Sequence, residues 1–396
     1  MSLTPNVILF SIYSVFVFFL SRPKYIFSPK CMVFAYYFIW FGLAPIFAER
    51  YSDVDVGSDA FFYAYIYLSS SYYILFLVSE FALKEVKIQV VQDEKKVSCR
   101  NGDIISILIL TCVFLFLYVQ VTGGVTHWIN NIDRAFLTRQ GAGVYYLGFS
   151  LLFPLLVFLI SSTKPNFIIV FFLLMSILIL SPFIGSKQKI IFVFLLVFYR
   201  KIYFYPVNIH GVIKIVFPVV GLFILGNYFR NSSWMTWSHV LSYSLNYFDT
   251  LDSLLIVIND FEPFSKMTTF LPFNKFYNLF TGDDRFFDVS AYLTSIYFPN
   301  AWDIRATVQF PVEADFYLSL GYFFGLPLLV ALYYVYCRIY EVSIKFQTPI
   351  VIFIWMNLFV YILSHLRGGV LLWTDFYLYP FLGLVYVFFK RRVTYE

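Results

Sequence analysis

Residues 104–122, IISILILTCVFLFLYVQVT, decide how this chain folds. The run carries no charge, and no face of it is polar when it is wound at 3.6 residues per turn. A soluble helix keeps a wet side, and a membrane strand shows about ten residues of alternating polarity; neither pattern is present. A helix of about 20 apolar residues instead matches about 30 Å of hydrocarbon. Residues 3–20 read the same way. The whole chain agrees: of 396 residues, 60% are hydrophobic and 13% charged, where a soluble domain has about 25% charged. Mean hydropathy is +0.76. A soluble globular protein is excluded, and an all-α, polytopic transmembrane helix bundle is expected.

Counting apolar runs predicts about eleven spans, within a range of ten to twelve, near 3–20, 31–47, 60–83, 104–122, 145–162, 167–184, 190–204, 212–228, 316–337, 349–366 and 370–389. The sixth and seventh are joined by only Gly185-Ser186-Lys187-Gln188-Lys189, so that pair also reads as a re-entrant hairpin. The first run is not a cleaved signal peptide, because Arg22, Lys24 and Lys30 follow it and no base precedes it. With the N-terminus outside, 17 of the 28 Lys and Arg residues fall on inner segments. Only 6 of the outer 11 lie in short loops, which is the comparison that sets orientation. Cys31, Cys99, Cys112 and Cys337 then lie inside or within the membrane, so no disulfide is expected. The four histidines are too scattered for a metal site, and no cofactor or nucleic acid is implied.

Two outer segments interrupt the short connections, residues 123–144 and the long stretch 229–315. The latter mixes Trp, Tyr, Phe, Asp and Arg with Pro263, Pro272, Pro299 and Pro311, and is expected to form a folded cap. The chain divides accordingly into a bundle of eight spans (1–228), the cap (229–315), and three further spans with a basic tail (316–396). Within the cap, residues 238–260 space Leu241, Leu245, Phe248, Leu251, Leu255 and Ile258 on one helical face. That predicts an amphipathic helix lying in the interface. The alternative is a polar face lining a cavity, with Asp249 and Asp252 toward sugar hydroxyls.

The side chains able to do chemistry cluster beside the outer ends of spans. Glu313 and Asp315 precede a helix that continues as Leu318-Ser319-Leu320-Gly321-Tyr322-Phe323-Phe324-Gly325. Carboxylates there either cap the helix dipole or act as a base shielded from water. Gly321 and Gly325 fit close helix packing. Arg230 closes the eighth span, Arg134 and Arg139 lie in the smaller loop, and Arg305 follows Trp302. Each either snorkels to head groups, pairs with a nearby acid, or presents its planar fork to phosphate. His365 and Arg367 end the tenth span. Asp375 and Glu80 are charges within spans, the latter set to pair with Lys84.

This layout resembles the O-antigen or oligosaccharide repeat-unit polymerases, the Wzy family. The likeness rests on about a dozen apolar helices, two enlarged loops bearing arginines, a central Gly-Ser-Lys turn, a span ending Tyr228-Phe229-Arg230-Asn231, and an acidic segment entering a Gly-x-x-x-Gly helix. An Arg followed by ten residues and Gly, described in some members, is absent, and Glu313-Ala314-Asp315 stands where the related ligases carry His-Asn. The resemblance implies a metal-independent, GT-C-like glycosyltransferase on the periplasmic face of a bacterial inner membrane. Its substrate would be undecaprenyl-pyrophosphate-linked oligosaccharide, and a chain-length regulator protein a partner. Arg134, Arg139, Arg230 and Arg305 would hold pyrophosphate, with His365 and Arg367 at the same level. Glu313 or Asp315 would take the acceptor proton, Glu313 first, and Trp234, Trp237 and Trp302 would face the sugars. A lipid-linked oligosaccharide flippase and an O-antigen ligase are the alternatives.

Overall fold

The protein, seen in a computed structural model, is described over residues 3–47, 57–83, 101–131, 142–163, 165–184, 188–203, 205–230, 236–246, 248–274, 286, 288–300, 308–346 and 349–369. Arg134, Arg139, Trp234, Trp302, Arg305, Asp375 and the eleventh predicted span lie outside them. Apart from one bridge between Tyr25 and Pro206, the regular elements among the described residues are helices.

Helix α1 (Leu3–Ser21) is followed by α2 (Pro29–Tyr36). Ser28 Oγ caps α2 by accepting from Cys31 N at 3.3 Å, and Pro29 begins it where no N–H is needed. The chain then continues without interruption into a π-helical segment, Tyr37–Leu43, and a last α turn, Ala44–Phe47. The next helices are α3 (Ser58–Leu83), α4 (Asn101–Val121), α5 (Gly124–Asn130) and α6 (Gly143–Ser162). They are followed by α7 (Phe167–Ile184), α8 (Gln188–Ile202) and α9 (Ile209–Arg230). Beyond these come α10 (Trp237–Asn246), α11 (Leu251–Asp260), a 3₁₀ segment (Thr268–Phe273), α12 (Val289–Tyr297), α13 (Val312–Phe346) and α14 (Pro349–Gly368).

Among the described residues, six helices are long and apolar enough to cross a membrane: Pro29–Ile46, Asp59–Leu83, Gly102–Val121, Gly143–Ser162, His210–Tyr228 and Val312–Lys345. Shorter apolar helices occupy Pro5–Ser21, Phe167–Ser181, Lys189–Tyr199 and Val351–Val360. On α4 most apolar side chains point outward, Ile105, Ile109 and Phe116 among them. The chain is an all-α helical membrane protein.

One hydrophobic core joins the bundle to residues 251–261, 289–298 and 308–312. Leu251, Leu254, Val289, Leu293 and Phe310 are buried together with Tyr36, Phe41, Leu68, Phe353 and Trp355. Trp355 anchors α14 by donating from Nε1 to Phe27 O at 3.0 Å, which satisfies the indole within an apolar interior. At the same end of the bundle Lys30 Nζ donates to Ser21 O and to Glu80 Oε1, tying α1, α2 and α3. Glu80 therefore pairs across helices with Lys30.

The expected single helix over 238–260 is two helices. Asp249 Oδ1 accepts from Leu251 N at 3.1 Å, so Asp249 makes the turn between α10 and α11. Nor does α11 lie in an interface: residues 251–257 are all buried, Asp252 included.

Helix α13 is broken. Gly321 has φ 65° and ψ 176°, a conformation essentially restricted to glycine. The chain turns so sharply there that Gly325 packs on Phe316, with a Cβ at 325 falling 2.7 Å from Phe316 Cβ and 3.1 Å from Tyr67 Oη. In a continuous helix those nine steps would span about 13 Å. Gly321 thus makes an elbow, and Gly325 is the small residue that permits the close approach. The short arm, 312–320, is held by residues 264–269. Phe264 N and Lys266 N donate to Tyr317 O and Leu318 O, carbonyls freed by the break.

Candidate functional site

The short arm carries both predicted carboxylates, and both are wholly buried. Glu313 points at the start of the π segment. Tyr36 Oη lies 2.7 Å from Glu313 Oε2, and Tyr37 Oη donates to Glu313 Oε1 at 2.7 Å. Successive residues of an α-helix stand about 100° apart and do not normally face one partner. The wider π turn that begins at Tyr37 lets adjacent phenols converge on a single carboxyl group.

Tyr36 Oη is also 2.7 Å from Leu366 O. A phenol has one proton, and a carbonyl can only accept. Every atom of this set is satisfied when the Glu313 carboxyl carries a proton for Tyr36 and Tyr36 donates to Leu366 O. Glu313 thereby joins α2, α13 and α14, and Tyr67 stands against the same arm from α3.

Asp315 faces the opposite neighbour. Thr268 Oγ1 donates to Asp315 Oδ1 at 2.6 Å, and Thr269 Oγ1 stands 3.3 Å from the same oxygen. Ser319 Oγ, one helical turn on, lies 3.0 Å from Thr268 Oγ1 and accepts from Thr269 N at 2.9 Å. Oδ2 looks toward the end of α14: a Cβ placed on Gly369 would meet it at 3.1 Å and Val289 Cγ1 at 2.4 Å. Gly369 has φ 78°, so both conformation and space require glycine. Helix α12 completes this corner. Asp288 caps it by accepting from Ala291 N at 2.6 Å, and Ser290 Oγ donates to Gly368 O at 3.3 Å and accepts from Phe310 N at 3.0 Å.

The fold thus unites two constellations more than 50 residues apart in sequence, the acids of the short arm and the C-terminal end of α14 with Gly369. Arg367 falls between Leu366, which meets Tyr36, and Gly369, which meets Asp315. His365 lies on the same helix and Arg230 ends α9, each with its side chain outside the described atoms. Trp237 opens α10 and stacks on Tyr228, with centroids 4.2 Å apart and rings 13° from parallel. Its other face is open, since the side chain is 58% exposed.

Sequence reasoning missed Tyr36, Tyr37, Thr268 and Thr269. Two tyrosines among 33 carry no signal of their own, and the π turn that aims them has no sequence signature. The threonines are hidden because their partner, Asp315, lies 47 residues from Thr268 in sequence. No group of three or more His, Cys, Asp or Glu suited to a metal ion occurs among the described residues. Comparison with family models, with curated proteins and with solved structures finds no match to this chain.

Proposed function

We propose that this chain is a membrane glycosyltransferase of the GT-C type that polymerises lipid-linked oligosaccharide repeat units. The setting would be the periplasmic face of a bacterial inner membrane, with the N-terminus outside and the C-terminus inside. The observation that carries this reading is the pair of wholly buried carboxylates on one short helical arm, beside the C-terminal end of α14 that bears Arg367. In the reaction, the bond between the growing sugar chain and its pyrophosphate breaks, a glycosidic bond forms to the acceptor oxygen, and the acceptor proton passes to a carboxylate.

Asp315 suits the proton-accepting role better than Glu313. Both Glu313 oxygens are engaged by tyrosines that hold three helices together, whereas Asp315 lies between Thr268 and Gly369, beside the end of α14 that carries Arg367. Glu313 then serves to hold the arm in place. Arg134, Arg139, Arg230 and Arg305 are proposed to bind the two pyrophosphates, where fixed positive charge would stabilise the departing group. Trp237, with one open face, is proposed to stack on sugar together with Trp234 and Trp302.

A transporter of the same lipid-linked oligosaccharide is the second reading, favoured by the broken helix, since discontinuous helices often frame transport sites. The test is gel analysis of surface polysaccharide after gene deletion and complementation with wild type, Asp315→Asn, Arg230→Ala or Arg305→Ala. A ladder reduced to core plus one repeat supports polymerisation. Loss of every repeat, including the first, supports transport or ligation, and wild-type ladders from all three variants discard the assignments.

A further inference from the structure

Residues 261–273 hold Asp315 with their inner side, and the outer side of the same segment is apolar. Phe264, Met267, Phe270 and Phe273 are 56–65% exposed, while Thr268 and Pro272 between them are buried. The patch runs on to Phe323 and Phe324, 77% and 67% exposed, at the top of the long arm of α13. Phe264 makes the join: its ring stands 6.1 Å from that of Phe324 and fills the space where a Cβ on Gly321 would be, only 2.6 Å away. Phe264 adopts φ 65°, in the left-handed region that residues other than glycine rarely enter. Lys266, exposed, interrupts the apolar face with a positive charge.

Six large apolar side chains stand in the open on two adjoining segments, with ring contacts between Phe264 and Phe324 and between Phe270 and Phe273, and exposed apolar area of this kind marks a partner or a membrane. Two of the six belong to a helix long and apolar enough to cross a membrane, so the patch is continuous with a surface that meets hydrocarbon. A single Lys set among such residues matches an anionic head group above its chains.

We infer that residues 264–273 lie in the bilayer as a wedge, and that Phe264, Met267, Phe270, Phe273, Phe323 and Phe324 take the hydrocarbon chains of a membrane lipid whose phosphate meets Lys266. The consequence is a lateral approach. The segment that would carry the lipid also supplies Thr268 and Thr269, whose hydroxyls contact Asp315. This inference does not depend on the polymerase reading, because its readout is lipid contact and not polysaccharide.

The test places p-benzoylphenylalanine at Phe270, Phe273, Phe323 or the buried Phe316 in the full chain, held in nanodiscs of phosphatidylethanolamine and phosphatidylglycerol. After irradiation, mass spectrometry should find phospholipid adducts at the first three positions and none at Phe316. Lys266→Ala should lower the phosphatidylglycerol share of adducts about fivefold, equivalent to about 1 kcal/mol for one Lys at a charged surface. In the unsubstituted protein, Met267 should resist hydroxyl-radical oxidation in nanodiscs. Crosslinks from 270 and 273 into another part of the chain, absence of any adduct, or rapid oxidation of Met267 would overturn the wedge. An unchanged phosphatidylglycerol share would overturn the part assigned to Lys266.

Discussion

Tyr37 and Glu313, 276 residues apart in sequence, meet at 2.7 Å in the interior of the bundle. The contact closes the fold from its first helices to its last, and it sets a distinction between shape and charge at position 313. Glu313→Gln keeps a donor for Tyr36 and an acceptor for Tyr37, so it should stay within about 1 kcal/mol of wild type. Glu313→Leu removes the acceptor of Tyr37 and the donor to Tyr36, which keeps Leu366 O, and should cost about 2 kcal/mol or more. Thermal unfolding in detergent, followed by size-exclusion chromatography, measures both. A Gln variant as unstable as the Leu variant would mean that a negative charge, not a hydrogen-bond set, holds the arm.

The elbow makes a second prediction. Gly321→Ala places a Cβ against the Phe264 ring and demands a conformation that costs about 1–3 kcal/mol outside glycine. Adding Phe264→Ala removes the clash but not the backbone cost. The double variant should therefore be more stable than the sum of the two single changes, a coupling that a double-mutant cycle reads directly. Strict additivity would show that the two residues do not touch in solution.

Thr268→Val separates holding from chemistry at Asp315. The methyl replaces the hydroxyl that donates at 2.6 Å, so stability should fall by about 1–2 kcal/mol while Asp315 itself remains. On the reading proposed above, polysaccharide should shorten in Thr268→Val and vanish beyond one repeat in Asp315→Asn. Equal ladders in the two variants would contradict the assignment of Asp315 as the reacting carboxylate.

At the opposite end, Lys30 is 13% exposed and Glu80 44% exposed. Losing the better-solvated partner strands the more buried charge, so Glu80→Ala should cost more than Lys30→Met. The expected costs are about 2 kcal/mol against about 1 kcal/mol, given that Glu80 is partly screened. Chemical unfolding of the two variants checks the order, and a reversed order would place the charge cost on Glu80.

How far the sequence carries follows from which forces are local. The apolar runs at 29–47, 58–83, 101–121, 143–162 and 209–230 are visible because hydrocarbon acts on each helix separately. The break within 238–260 escaped because Leu241 to Ile258 keep helical spacing across it, while the turn depends on one side chain, Asp249. At 321, spacing shows only two glycines four apart; that one bends the chain and the other admits Phe316 is decided by neighbours, Phe264 and Tyr67, that no short window contains. Glu313 and Asp315 stood out as acids beside an apolar run. Their opposite surroundings, tyrosines for one and threonines for the other, come from contacts at separations of 276 and 47 residues.

The divided form of α13 also bears on how the chain is made. Residues 322–346, about 37 Å of helix, can enter the bilayer by their own hydropathy as they leave the ribosome. The nine residues ahead of them carry two acids that lipid rejects; Asp315 meets Thr268 and Thr269, made shortly before it, but Glu313 gains a favourable site only where Tyr36 and Tyr37 already wait. The N-terminal helices must therefore be inserted and standing, with an unfilled slot between them, throughout the synthesis of some 270 further residues. Seating of the acidic arm becomes a late step in biogenesis, and a failure there would leave an inserted but unlocked protein as the natural substrate for membrane quality control.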